Sequence, residues 1–179
     1  MFGSSSKDPS LWSLLAVNLL TIALAVKFNW SVLELMWIYW GQSVTIGAFN
    51  VVRLRPNIGT ATFFALHFGF FHLIYAIFLS VFTLAGDELF PGAAPIDWRT
   101  VLGVVGMFAA NHGFSFLYNR ERDAARFDES RLMFYPYVRI FPMHLTIIFG
   151  ALLSGTFPLL LFMGLKTAAD LATHILEHR

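Results

Sequence analysis

The chain has no cysteine, and only 13% of its 179 residues carry charge, about half the share of a soluble domain. Without cysteine there is neither a disulfide scaffold nor a thiolate metal site. A formal net charge of +1 supplies no basic field to hold nucleic acid. There is no Walker loop, dinucleotide fingerprint or G-x-S-x-G elbow, and no arginine ladder of the voltage-sensing kind. Apolar residues, by contrast, make up 57% of the chain, twenty of them Phe, and the mean hydropathy is +0.65. That content excludes disorder and points to a single all-α domain over 1–179, a polytopic transmembrane helical bundle whose surroundings are membrane lipids.

A helix crossing the hydrocarbon core needs roughly 20 mostly apolar residues. Stretches that fit are 11–26, 31–52, 61–84, 100–118 and 140–153. A sixth, 157–178, starts apolar and ends half polar. Ser154-Gly155-Thr156-Phe157-Pro158 divides it from the fifth, with Pro158 suited to a first helical turn. The reading is therefore six helices closed by a hairpin, with five spans and a surface-lying last segment as the alternative. The charged stretch 119–139, which holds Phe134-Tyr135-Pro136-Tyr137, reads as an amphipathic lid on the membrane surface. The Ala23-x-Ala25 step resembles a signal-peptide cleavage site, but Asn18 and Asp8 favour a retained first helix.

Basic residues favour the cytoplasmic side in short loops. Six spans place Lys7, Arg53, Arg55, Arg120, Arg122, Arg126, Arg131, Arg139 and Arg179 on one side, with Lys27 and Arg99 on the other. Both termini are then cytoplasmic, in a membrane such as the bacterial inner membrane. Trp30, Trp37, Trp40 and Trp98 gather at the opposite end as interfacial anchors.

Polar groups in hydrocarbon are costly, so their positions carry information. Under six spans all six histidines fall in the cytoplasmic half. Asp170, His174 and His178 recur every four residues and share a helix face, and His174-Ile175-Leu176-Glu177-His178 has the H-x-x-E-H form of an inverted zincin. Asp170, His174 and His178, with His144, His112 or His67 from other helices, thus form a candidate zinc site, with Glu177 or Glu121 as general base. The bland reading is a solvated helix end whose His and Arg complement the macrodipole, with Lys166 pairing to Asp170. His112, Ser115 and Asn119 lie along one face of the fourth span, where interhelical hydrogen bonding alone would explain them. His67 and His72 are five residues apart and point about 140° away from each other, so they do not readily serve one mononuclear site: either one is a satisfied packing histidine or the two serve different partners.

Tyr39-Trp40, Gly47-Ala48-Phe49-Asn50, Asn111-His112-Gly113-Phe114-Ser115-Phe116, Pro136-Tyr137-x-Arg139-Ile140, His144-Leu145-Thr146-Ile147 and Lys166-Thr167-x3-Asp170-x3-His174-x2-Glu177-His178 form an ordered set. This set resembles a family of small bacterial and archaeal multi-pass membrane proteins classed as a domain of unknown function. The resemblance covers nearly the whole chain and implies a membrane protein, with no activity attached. Gln42 stands where the resemblance leads one to look for an acidic residue after Tyr39-Trp40-Gly41.

Four functions follow from these residues. One is a zinc-dependent hydrolase with a membrane-associated, lipidic or small-molecule substrate. The second is a proton or divalent-metal transporter using intramembrane histidines. The third is a haem-binding electron-transfer protein with paired axial histidines. The last is a structural, partner-binding or homo-oligomeric membrane protein whose polar residues are interhelical glue.

Overall fold

The computed structural model describes residues 31–86, 95–125, 128–150 and 157–177, with positions 19, 22, 23, 26 and 27. The described residues form five helices and no strand: α1 (Val32–Arg53), α2 (Ile58–Leu84), α3 (Trp98–Ala125), α4 (Glu129–Gly150) and α5 (Phe157–Glu177). The all-α expectation is met. Most of the expected first span, 11–26, lies outside the described residues, as does the 154–156 step before the last helix.

α2, the Trp98–Tyr118 part of α3 and the Glu129–Phe149 part of α4 are each long and apolar enough to cross a membrane. Their surfaces agree with that. Leu66, Leu73, Leu102, Met107, Phe114 and Leu117 are each 60–72% exposed, an apolar exterior that fits lipid rather than water. α3 is the barest, with 6% of its apolar window buried.

α1 is the hub and touches all four other helices. It can do so because its small residues let neighbours approach. A Cβ on Gly41 would lie 2.7 Å from Val105 of α3, and one on Gly47 would run into the Phe68 ring of α2. Met36, Phe64, Leu79, Met143, Phe162 and Met163 close the core between α1, α2, α4 and α5.

The α1–α2 turn is built by backbone bonds from Leu54 N–H to Asn50 O and from Asn57 N–H to Leu54 O. Asn57 then caps α2, its Oδ1 accepting from Thr60 N–H at 3.3 Å. At the opposite end Trp37 packs edge-on against Trp40 and Trp98, and its Nε1–H donates to Thr83 Oγ1 at 3.0 Å.

Two boundaries differ from the sequence expectation. Residues 119–125 continue α3, and residues 129–139 form the first half of α4, so the expected lid is helix continuous with the spans on either side. Pro136 and Pro142 both lie inside α4. Proline lacks an N–H, which orphans the carbonyl four residues earlier. For Pro136 that carbonyl belongs to Leu132, and Asn50 Nδ2 of α1 donates to it at 3.0 Å. A neighbouring helix thus supplies the missing donor, and α4 runs on. Pro158 lies in the first turn of α5, as its chemistry favours.

Candidate functional site

α2 and α4 run parallel, and three polar contacts join them at almost constant sequence separation. Glu129 accepts from Thr60 Oγ1 and from Asn57 Nδ2. His67 Nδ1 lies 2.7 Å from the Tyr137 hydroxyl. Tyr75 hydroxyl lies 3.1 Å from His144 Nδ1. The separations of the Thr60–Glu129, His67–Tyr137 and Tyr75–His144 pairs are 69, 70 and 69 residues. At about 1.5 Å per residue the three rungs climb roughly 22 Å along α2. The order inverts between the upper two: histidine comes from α2 in one and from α4 in the other.

The levels of these rungs matter. α2 has 27 residues, about 40 Å of helix, and its midpoint is Phe71. His67 and Tyr75 each lie four residues from that midpoint, about 6 Å to either side. Phe71 stands between the rungs, its ring centroid 5.1 Å from His67 and 6.4 Å from Tyr75. His67 and His144 are both exposed on the protein surface. Phe63 stacks on His67 at 5.2 Å.

His72 faces the other way, as the five-residue offset from His67 requires. It is buried, and its Nδ1–H donates to Phe68 O at 2.9 Å. A carbonyl only accepts, so Nε2 is left as the acceptor for the Ser43 hydroxyl of α1 at 2.9 Å. Phe68 stacks on the ring at 4.1 Å, and Trp40 Nε1–H donates to His72 O. Every polar group of His72 is engaged, which makes it a pin between α1 and α2.

The residues singled out for metal binding do not gather among the described side chains. His67 and His144 occupy separate rungs, each facing a tyrosine. His112 lies on the α3–α1 face, stacked with Phe108 at 5.7 Å and edge-on to Phe49 at 5.1 Å. For Asp170, His174, Glu177 and Glu121 the helical backbone is described but the side chains are outside the described set, and His178 is outside it altogether. Among the described residues no group of three His, Asp or Glu side chains could hold a metal.

Sequence reasoning missed Tyr75, Tyr137, Ser43 and Glu129. For Tyr75, Tyr137 and Glu129 the signal is the separation of about 70 residues between partners, which has meaning only once α2 and α4 are known to lie side by side; Ser43 stands 29 residues from His72, on α1.

A family model matches residues 1–179 in full. The chain belongs to the family of unknown function DUF6498. All three rungs lie within the DUF6498 match, and the expected membership in a family of unknown function is borne out. No curated protein and no solved structure matches the chain.

Proposed function

We propose that this DUF6498 member is an integral membrane protein that transfers protons along the α2–α4 seam. The observation that carries the reading is the pair of His–Tyr hydrogen bonds placed symmetrically about the middle of α2. Imidazole exchanges protons near neutral pH, and a tyrosine hydroxyl both donates and accepts. Each pair can therefore pass a proton from one partner to the other. Ionisable side chains at membrane depth are costly and mark ion or proton pathways. Glu129, beside the ends of α1 and α2, is placed to exchange protons with the adjoining water. The distribution of basic residues supports cytoplasmic termini, which makes the Glu129 end the cytoplasmic one.

The test is proton flux into liposomes containing the purified protein and an entrapped pH dye, under a potassium-set potential. The wild type should acidify or alkalise the lumen according to the sign of the potential. His67→Ala and His144→Ala should each lower the rate by at least tenfold. Flux equal to that of empty liposomes, from protein that elutes as one folded species, overturns the reading.

A zinc-dependent hydrolase remains the second reading, favoured by the regular backbone of α5 through Glu177. That backbone sets Asp170 and His174 one turn apart, as two ligands from one helix require. His144, His112 or His67 would complete the set, His178 would add a ligand, and Glu177 or Glu121 would act as base. Elemental analysis decides it. Near-stoichiometric zinc lost in His174→Ala supports the hydrolase, and metal-free protein of unchanged stability removes it.

A further inference from the structure

We infer that the cavity between the first turns of α2 and α4 binds a primary ammonium group, presented by the ethanolamine headgroup of a phospholipid or by a small soluble amine. The inference stands apart from proton transfer along the seam and needs none of it.

The cavity is open and measures about 610 Å³, and Gly59, Thr60, Phe63, Glu129, Ser130 and Met133 line it. That volume lies within the range of small-molecule sites, about 300–1,000 Å³. Glu129 is the only ionisable side chain of the six. Its partners are the Thr60 hydroxyl and the Asn57 amide, both neutral. Arg131, two residues further along α4, turns instead to Asp128 at 3.1 Å. The starts of α2 and α4 favour a negative charge at this place, and a cation is the complement that the cavity lacks.

The open acceptors distinguish one cation from another. A carboxylate has about four acceptor sites. Oε1 of Glu129 receives Thr60 Oγ1 and Asn57 Nδ2, whereas Oε2 receives Asn57 Nδ2 alone and keeps a site open. Thr60 gives its only hydroxyl proton to Glu129 and keeps its lone pairs. Ser130 is exposed, and its hydroxyl has no partner among the described residues. Three kinds of oxygen acceptor thus line one cavity. A primary ammonium has three N–H donors to offer them, and a quaternary choline has none. A hard divalent ion would want six or more oxygens, several of them carboxylate, and finds one carboxylate here.

Position favours the lipid as the source. The apolar windows of α2 and α4 begin at Ile58 and Glu129, so the cavity sits where hydrocarbon gives way to headgroups. Phe63, 55% exposed, and Met133 supply its apolar wall. An ammonium can lie against the Phe63 ring. Leu66 and Phe70, both more than half exposed on the same side of α2 as Phe63, continue an apolar track for the acyl chains.

The experiment uses full-length protein in maltoside micelles, with bound lipid counted by native mass spectrometry. The titrants are dioleoyl phosphatidylethanolamine, its N-methyl and N,N-dimethyl forms, and dioleoyl phosphatidylcholine. Saturation near one ethanolamine lipid per chain is expected, at least tenfold tighter than choline lipid, with the methylated forms ranked between them. Glu129→Gln should erase that margin, since a hydrogen bond to a charged group is worth tenfold or more. Because Glu129 also joins α2 to α4, Ser130→Ala supplies a second reading that leaves the junction intact. It should narrow the margin two- to fivefold without changing choline binding. Ser80→Ala, towards the other end of α2, should change nothing. Millimolar ethanolamine that displaces the lipid keeps the ammonium site and assigns it to a soluble amine, and lipid retained against it assigns the site to the headgroup. Equal affinity for ethanolamine and choline lipids, or a margin unchanged in folded Glu129→Gln, overturns the inference.

Discussion

Asn50 and Pro136 should be energetically coupled, although they lie on different helices. Asn50 is 5% exposed and donates to Leu132 O, the carbonyl that Pro136 deprives of its helical donor. Asn50→Ala leaves that carbonyl without a partner, at a cost of about 1–3 kcal/mol for a buried acceptor. Interhelical hydrogen bonds measured in membranes average about 0.6 kcal/mol, with a maximum of about 1.7. The unfolded-in-membrane state usually finds other partners, but a proline-orphaned carbonyl has few, so a loss of about 1–2 kcal/mol is expected. Pro136→Ala restores an N–H four residues after Leu132. In the Asn50→Ala background that N–H should recover most of the loss. In the wild-type background it has little to repair, and the smaller side chain costs some packing. Reversible unfolding in mixed micelles of increasing dodecyl sulfate content, followed by far-UV circular dichroism, measures the four corners of the cycle. The expected coupling is about 1 kcal/mol. Additivity within about 0.3–0.5 kcal/mol would refute the repair of Pro136 by Asn50.

Other expectations follow from close contacts and caps. Gly47→Ala should destabilise by about 1–3 kcal/mol, because Phe68 is held between Phe64 and His72 and has no room to withdraw. Gly41→Ala should loosen α3 from α1 through Val105, whereas Gly106→Ala, with nothing within 4 Å of the new methyl, should be neutral or slightly stabilising in the same unfolding assay. Asp97 caps α3 by accepting from Arg99 N–H and Thr100 Oγ1. The Thr100 hydroxyl, and then the Arg99 amide, hold its carboxyl below the usual range. A carboxyl lowered on folding stabilises above its unfolded pKa and loses that contribution as pH falls through the folded one. Trp98 fluorescence should therefore report fraying of α3 at acid pH, and Asp97→Asn should flatten that dependence.

The helices were legible where hydrophobicity alone decides them. The expected 31–52 and 61–84 match α1 and α2 to within three residues at their ends. α4 was misjudged because the charges of 129–139, Arg131 and Arg139 among them, and Pro136 look like an interruption. The residue that removes the interruption, Asn50, is 82 positions away from its acceptor. His67 and His144 could be singled out as costly groups in lipid, but their partners could not be named. A four-residue spacing on one helix is visible in a sequence. The pairing of two parallel helices through tyrosines is not, since α3 intervenes between them in the chain and packs against α1.

The central position of α1 also sets a timetable. Among the described helices, the one that touches the other four is made before them, and Asn50 finds its acceptor only when Leu132 has been added. Those 82 residues take roughly 4–16 s to synthesise at about 5–20 residues per second. For that interval an amide that ends up buried waits without its final partner, so α1 has to be sheltered until α4 arrives. A mutation that slows elongation between α2 and α4 would lengthen that wait, and would be felt as lost yield rather than as a changed structure.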